Sequence, residues 1–297
     1  MGIARPAAAQ GIIDLPMAQG WTVTQAWTPA VEREFGEYVH AIGVAVAAHR
    51  CRSLAGCLND PSINPLFAGA RRPLHLAADC GDVPYILRAY FAWRRGLPFA
   101  HAAHVRGRGH DARYARGARA VGVRLWSQYR SPRSLIEGVG SAVHSGYFRA
   151  DPADGTSDFY PIAVSRESVH AGTVYYNPNG HVLVVYDVAP DGQIQLIDGH
   201  THGGMTATRF TERLALGAAW QVGGFQNFRP IAWTDGRLVR TPNAALDDYD
   251  AIGQHDRSRW RVNAAPVGYH AWVRASVARG IRRETTRLAS AATGPQG

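Results

Sequence analysis

The chain has 297 residues, of which 46% are hydrophobic and 19% are charged, and its formal net charge is +9. This composition excludes a disordered chain, and the length suffices to bury one large core or two smaller ones. No run of about 18 apolar residues occurs, so we expect no transmembrane segment. The excess of positive charge favours anionic surroundings, such as peptidoglycan, phospholipid or an acidic protein.

The N-terminal region divides into a tail and a helix. Residues 1–15 read as a flexible tail, although residues 7–10, Ala-Ala-Ala-Gln, resemble the end of a signal-peptide cleavage region. Both interpretations stay open, because no hydrophobic signal core precedes that motif. A helix is predicted from Pro29 to His49, since its apolar residues recur at helical spacing and indicate packing on a core.

The chain contains three cysteines. Cys51 and Cys57 are close in sequence, which favours a local disulfide and leaves Cys80 as a free thiol. A disulfide is typical of an oxidising compartment, so we expect a periplasmic or secreted protein. The alternative is a metal site built on the pair, but no further cysteine or paired histidine follows at zinc spacing, so we predict the disulfide.

Residues 79–99 predict an amphipathic helix with one buried face. Its apolar positions are Val83, Ile86, Leu87, Tyr90 and Phe91. Gly96 can adopt the left-handed conformation that ends a helix. A proline in the first turn places the start within residues 80–82, with Asp79 or Asp82 as the N-cap.

Cys80 therefore lies at the N-terminus of a helix. There the helix dipole and unpaired backbone N–H groups favour the thiolate over the thiol, and the same groups can receive the oxyanion of a tetrahedral intermediate. We take Cys80 as the candidate nucleophile; the alternative is a small buried residue. A second oxyanion donor is expected just upstream, where Asn64 and His75 are the candidates.

Residues 100–170 read as a long insertion that forms a wall or lid over the cleft and sets specificity. Trp126 is a candidate substrate contact within it. Residues 101–120 are basic and rich in histidine, which suits an anionic ligand, although a solvated loop or helix face is the commoner reason for such a run. The run lacks interleaved aromatic residues for stacking, so we predict no nucleic-acid partner.

Two alternating β-branched runs within residues 172–204 flank a Pro-Asp-Gly turn and predict a β-hairpin. With a four-residue loop, Ala189–Gly192, Leu183 would pair with Asp198, and His181 would be the diagonal neighbour of Asp198. A two-residue loop would leave His181 about 13 Å from that carboxylate along the strand. We predict the longer loop, because a functional pair needs contact.

His181 and Asp198 complete a Cys/His/Asp arrangement with Cys80. In such a unit the histidine accepts the thiol proton and later protonates the leaving group, while the carboxylate fixes the ring tautomer and stabilises the imidazolium. His200 and His202 raise an alternative, since two imidazoles at this spacing suit a metal ion. We favour the triad without a metal, with His200 as a supporting or substrate-contacting residue.

Two blocks of sequence resemble a known superfamily. The motif Asp79-Cys80-Gly-Asp82, followed by Leu87-Arg88 and Gly96-Leu97-Pro98, resembles the nucleophile helix of the transglutaminase-like superfamily, which has the papain-like fold. The strands of His181 and Asp198 look like its histidine and aspartate strands. Residues 172–176 and 180–182 also resemble the NlpC-type branch, in which bacterial cell-wall amidases and peptidases occur.

The resemblance implies an α+β, papain-like fold in which the nucleophile helix packs on an antiparallel sheet. The catalytic domain would span residues 16–240 and include the insertion at 100–170. Residues 241–297 would add a turn-rich segment and a basic C-terminal helix.

The resemblance also implies a cysteine peptidase or amidase that forms an acyl-enzyme, with peptidoglycan stem peptides as the substrate we favour. The protein would be bacterial, periplasmic or secreted, and we expect no cofactor, since no glycine-rich phosphate loop occurs. Two alternatives stay open. One is a transglutaminase or deamidase acting on protein glutamine, and the other is an inactive papain-like domain that binds cell-wall or protein partners.

Overall fold

The computed structural model describes residues 20–67, 69, 72–109, 111 and 114–278. The predicted N-terminal tail and the part of the predicted C-terminal helix after residue 278 lie outside these residues. The helices are α1 (Pro29–Ala47), α2 (Leu54–Asn59), α3 (Asp82–Arg95) and α4 (Pro132–Gly138). The strands are β1 (Ala100–Arg108), β2 (Arg116–Leu125), β3 (Phe159–Pro161), β4 (Val174–Asn177), β5 (His181–Val188), β6 (Ile194–Gly199), β7 (Met205–Arg209), β8 (Gly224–Phe228), β9 (Ile231–Thr234), β10 (Arg237–Arg240), β11 (Arg261–Val262) and β12 (Ala265–Pro266).

Local capping signals define the two long helices. The Thr28 side chain accepts a hydrogen bond from the N–H of Val31 at the start of α1, which ends two residues before the predicted His49. Helix α3 begins and ends as predicted, with Gly96 in the left-handed conformation at φ 64°. Both predicted helices are confirmed. They were predictable because the residues that mark the ends of each helix lie within a few positions of those ends.

A six-stranded antiparallel sheet forms the centre of the fold, in the order β3-β8-β4-β5-β6-β7. Helices α1 and α3 pack on one face, against side chains such as Val184 and Ile197. Residues 269–278 are also helical and contribute Trp272 and Val273 to the core on the other face. The fold is therefore α+β, with an antiparallel sheet buried on both sides.

The basic run forms a two-stranded antiparallel ribbon in which β1 pairs with β2. The expectation of a solvated loop or helix face for residues 101–120 was wrong. A few small or apolar side chains of the ribbon, such as Ala102, Val105 and Ala118, are buried, whereas its arginines are exposed. The ribbon is therefore anchored at a few positions and exposed over most of β2.

The predicted disulfide between Cys51 and Cys57 is confirmed, with an S–S distance of 2.02 Å. It ties the start of α2 to the turn after α1. The backbone N–H of Met205 donates to the carbonyl of Arg52 at 2.9 Å, so the disulfide segment also holds the first residue of β7. Within the described ranges, no helix has the length and apolar character needed to cross a membrane.

Candidate active site

The turn that leads into α3 positions Cys80. Oδ1 of Asp79 accepts hydrogen bonds from the backbone N–H groups of Gly81 (2.8 Å) and Asp82 (3.2 Å), and Oδ2 of Asp82 accepts from the N–H of Asp79 at 2.9 Å. The N-cap is Gly81, so the prediction of Asp79 or Asp82 as the N-cap was wrong, but the two carboxylates form a reciprocal pair of hydrogen bonds that fixes the turn around the thiol. The N–H of Cys80 has no acceptor among the residues described, so it can donate to an oxyanion.

Asp82 is the first titratable residue after Cys80 in the sequence. Its side chain is buried, and burial raises the pKa of the carboxyl to about 7. Its Oδ1 has no hydrogen-bond donor within the described part of the chain. At neutral pH this carboxyl therefore carries only part of its charge, which limits its repulsion of a thiolate at Cys80.

The register of β5 and β6 differs from the prediction in its loop. The ladder resumes at Ile194, so the loop has five residues rather than four, and the predicted loop length was wrong. A register shift between Val185 and Asp187 compensates for the extra residue and restores the pairing of Val184 with Ile197. One step further along the ladder sets residue 183 opposite residue 198, as predicted.

His181 and Asp198 are in contact. Nε2 of His181 lies 2.8 Å from Oδ2 of Asp198, which confirms the predicted proximity of the two side chains. The Cys80 thiol lies 3.7 Å from the carbonyl oxygen of Gly180 and beside the His181 ring. The hydrogen bond that the ring donates to Asp198, and then the one that it makes with Cys80, raise the pKa of His181 to about 10, against the opposing effect of burial. At neutral pH the ring is therefore an imidazolium.

Cys80 reaches the histidine around the end of the sheet. The apolar residues on the strand face of His181 and Asp198, such as Leu183 and Leu196, belong to the core on the side of the sheet away from α3. The segment before α3 passes against Gly199, the last residue of β6, and this contact at the strand ends brings the thiol to the pair.

Gly199→Ala should displace the thiol. A Cβ on Gly199 would stand 2.8 Å from the carbonyl oxygens of Ala78 and Asp79, and these are backbone atoms that cannot rotate away. A shift of about 1 Å between reacting groups costs up to about 100-fold in rate. Because of such a shift, we expect the alkylation of Cys80 at pH 6 to slow by about tenfold or more. Gly138→Ala is the matched control, because no atom lies within 4 Å of its Cβ position. Equal alkylation rates in the Gly199→Ala and Gly138→Ala variants would show that the contact at Gly199 does not position the thiol.

Asp198 is held on both oxygens. Its Oδ1 accepts a hydrogen bond from the hydroxyl of Thr206, on the neighbouring strand β7, at 2.6 Å. Nε2 of His200 lies 3.1 Å from that hydroxyl and 4.0 Å from Oδ2 of Asp198. Because Thr206 donates to the carboxylate, His200 is the donor in its own bond to Thr206. The sequence analysis missed Thr206, although the His-Gly-Gly turn before β7 is a signal that could have paired it with Asp198.

Asn64 belongs to the core rather than to the site, so its proposed role as an oxyanion donor is corrected. It is 1% exposed, and its amide group donates to the carbonyl of Leu58 at 2.8 Å and to the hydroxyl of Tyr90 at 2.9 Å. Both amide hydrogens are therefore used in holding the loop after α2, and none is left for a substrate.

His75 and Trp126 also lie elsewhere. His75 is exposed, and its backbone N–H donates to Glu137 in α4 at 2.8 Å. Trp126 is buried against the rings of Trp21 and Trp233. In the described structure no hydrogen bond or ring contact joins either side chain to the triad, so neither is retained as a substrate contact.

Ser145, from the insertion, lies against the turn of Cys80. Its backbone nitrogen is 2.7 Å from the position a Cβ would take on Gly81, and its Oγ is 3.6 Å from that position on Gly180. Ser145 is 6% exposed, and no group of the described chain bonds its hydroxyl. Its hydroxyl is therefore a candidate second hydrogen-bond donor next to the residues that flank the thiol, Gly81 and Gly180. No local sequence signal links residue 145 to residue 80, which is why the sequence analysis missed it.

The histidines of the metal-site alternative stack on each other. The rings of His200 and His202 are 5.3 Å apart and nearly parallel. Among residues 20–67, 69, 72–109, 111 and 114–278, no group of three or more His, Cys, Asp or Glu side chains is arranged to hold a metal ion. Around Cys80 the structure instead brings together a thiol, an imidazole and a carboxylate.

Comparisons of the chain with known protein families, with curated proteins and with solved structures found no match. Function is therefore inferred from the chemistry of the site.

Proposed function

We propose that the protein is a cysteine-dependent amide hydrolase, a peptidase or amidase. Cys80 is the nucleophile, His181 the general acid and base, and Asp198 the carboxylate that orients the imidazole. The observation that carries this proposal is the 2.8 Å contact between His181 and Asp198 beside a thiol at a helix N-terminus. A thiol, an imidazole and an orienting carboxylate in mutual contact are the groups that thiol-based acyl transfer uses.

The reaction starts from the thiolate and the imidazolium. The sulfur of Cys80 attacks the amide carbonyl carbon, and the N–H of Cys80 and the hydroxyl of Ser145 receive the oxyanion. His181 gives its proton to the amide nitrogen as the C–N bond breaks, which releases the amine and leaves a thioester. Neutral His181 then takes a proton from water, whose oxygen attacks the thioester and releases the acid and the thiolate. Asp198 holds Nε2 of the ring throughout.

We also propose a papain-like fold and a periplasmic or secreted location in a bacterium. The entry of α3 at the end of an antiparallel sheet supports the first proposal, and the disulfide supports the second. Peptidoglycan stem peptides are the proposed substrates, because the NlpC-like sequence motifs, the positive charge and this location agree. That choice of substrate rests on analogy.

The test is incubation of the protein with purified muropeptides, followed by mass spectrometry. We expect one amide of the stem peptide to be cleaved with addition of one water, and Cys80→Ser to leave the same muropeptides intact. Cleavage that survives this substitution would remove Cys80 from the mechanism. Products that gain an amine instead of water would favour a transglutaminase, and an inert wild type would overturn the choice of substrate.

A further inference from the structure

The β1–β2 ribbon presents positive charge without any carboxylate. Its two strands contain five arginines and neither aspartate nor glutamate. These arginines are Arg106, Arg108, Arg116, Arg119 and Arg124, and all are exposed. None of them forms an ion pair with a carboxylate of the described chain. The guanidinium groups of Arg116 and Arg124 lie over the rings of Trp220 and Tyr129, but a ring does not neutralise the charge. The charge of the ribbon is therefore available for a partner outside the molecule.

The arginines are paired with each other across the ribbon. Arg106 lies opposite Arg119, and Arg108 lies opposite Arg116. Like charges directly opposite on neighbouring strands destabilise the pairing. A carboxylate bound between the two members of a pair would offset this repulsion, because the guanidinium group binds carboxylates through two parallel hydrogen bonds.

The spacing of the two pairs matches an extended peptide. Arg106 and Arg108 are two residues apart on β1, which corresponds to about 7 Å along a strand. A register shift between the two pairs adds one residue on β2, so that Arg116 and Arg119 are three residues apart there. Alternate side chains of an extended peptide repeat at the same distance. An extended segment with carboxylates at alternate positions would therefore meet both arginine pairs.

The ribbon reaches the proposed active site at its turn. The hydroxyl of Tyr114, between the two strands, donates to the carbonyl of Asn179 at 3.4 Å. The hydroxyl oxygen of Tyr114 also lies 3.6 Å from the position that a Cβ would take on Gly180, the residue before His181. The end of the ribbon that carries Arg108 and Arg116 is therefore the end next to the site.

We propose that the ribbon binds a carboxylate-rich extended segment of the substrate and directs it to Cys80, so that the substrates are acidic peptides. This inference deepens the proposed function and rests on it for the identity of the ligand as a peptide. A peptide is favoured over single-stranded nucleic acid because the two strands carry no Phe, Tyr or Trp on which bases would stack.

The test is binding of a fluorescein-labelled hexapeptide of alternating alanine and glutamate, measured by fluorescence anisotropy. The ribbon variant is Arg106→Gln/Arg119→Gln, and its matched control is Arg213→Gln/Arg237→Gln, which removes the same charge at exposed arginines outside the ribbon. We expect the ribbon variant to bind about five- to tenfold more weakly at low salt. The control should stay within about twofold of the wild type, because charges away from the site are screened.

A peptide with glutamine in place of glutamate should not bind measurably to the wild type or to either double variant. Since the substitutions remove a like-charge pair, the ribbon variant should unfold at the same temperature as the wild type or above it. This result would show that a folding defect is not the cause of the weaker binding. Equal binding of the glutamate peptide by the two double variants would overturn the proposal. So would tighter, ribbon-dependent binding of single-stranded DNA or of phosphatidylserine vesicles.

Binding is measured here without turnover, so the two proposals fail separately. If the ribbon binds the glutamate peptide but Cys80 reacts only above about pH 8, as an unperturbed thiol does, the hydrolase proposal fails and the ribbon assignment stands. If muropeptides are cleaved at equal kcat/KM by the wild type and the ribbon variant, the ribbon assignment fails and the hydrolase proposal stands.

Discussion

Replacing His181 with alanine should slow the alkylation of Cys80 by iodoacetamide at pH 6 by about 30- to 100-fold, because the imidazolium that stabilises the thiolate is lost. A thiol with the ordinary pKa of about 8.5 is thiolate for only roughly 0.3% of the time at pH 6. Mass spectrometry of the Cys80 peptide over time measures the rate. Cys51 and Cys57 do not compete for the reagent, since they are joined in the disulfide.

His75→Ala is the matched control for this measurement. His75 is an exposed histidine just upstream of the candidate nucleophile, and its hydrogen bond to Glu137 comes from its backbone N–H. Its substitution should leave the alkylation rate unchanged. A Cys80 that reacts only above about pH 8 in the wild type, as an unperturbed thiol does, would remove the nucleophile from the proposal. The inactive binding domain would then be the better account of the protein.

Replacing Asp198 with asparagine should lower the titration midpoint of His181, by about 1 to 3 pH units. The hydrogen bond to Asp198 is the largest cause that raises the pKa of His181 to about 10. The midpoint can be read from the imidazole resonance of His181 by NMR, which needs no substrate. In the wild type, we expect the alkaline limb of kcat/KM to fall near pH 10 as well, because the imidazolium is the proton donor to the leaving amine.

Thr206→Val tests whether the charge of Asp198, rather than the hydrogen bond that Thr206 donates to it, raises the pKa of His181. This substitution removes the 2.6 Å hydrogen bond to Oδ1 but keeps the carboxylate, so the midpoint of His181 should not fall. A midpoint near 6.5 in the wild type, or one that Asp198→Asn leaves unchanged, would show that the carboxylate does not stabilise the imidazolium.

The same pKa shift links the pair to stability. Because the pKa of folded His181 lies above the ordinary value of about 6.5, the folded protein binds this proton more tightly than the unfolded chain does. The contribution of the pair to the free energy of unfolding is therefore fully present below about pH 6.5. It disappears as the pH rises through about 10. In the Asp198→Asn variant, this contribution should be smaller and its loss should be complete at lower pH.

The sequence by itself determined the features whose causes are local. The ends of α1 and α3 follow from capping residues within one turn of each helix, and the disulfide joins cysteines six positions apart. The contact between His181 and Asp198 was also predictable, because a hairpin constrains the residues on its two strands. The loop length was not, since the register shift near Tyr186 depends on packing along the whole strand.

Only the tertiary structure decided which distant residues surround the thiol. Ser145 lies beside Gly81 because the insertion folds back on the start of α3, and Asn64, which was expected there, is held by Leu58 and Tyr90 in the core. Such contacts join segments that share no hydrogen-bonded ladder or helix turn, so no residue spacing encodes them. The approach of α3 from the opposite face of the sheet has the same origin, since the packing of both cores decides which face a helix covers.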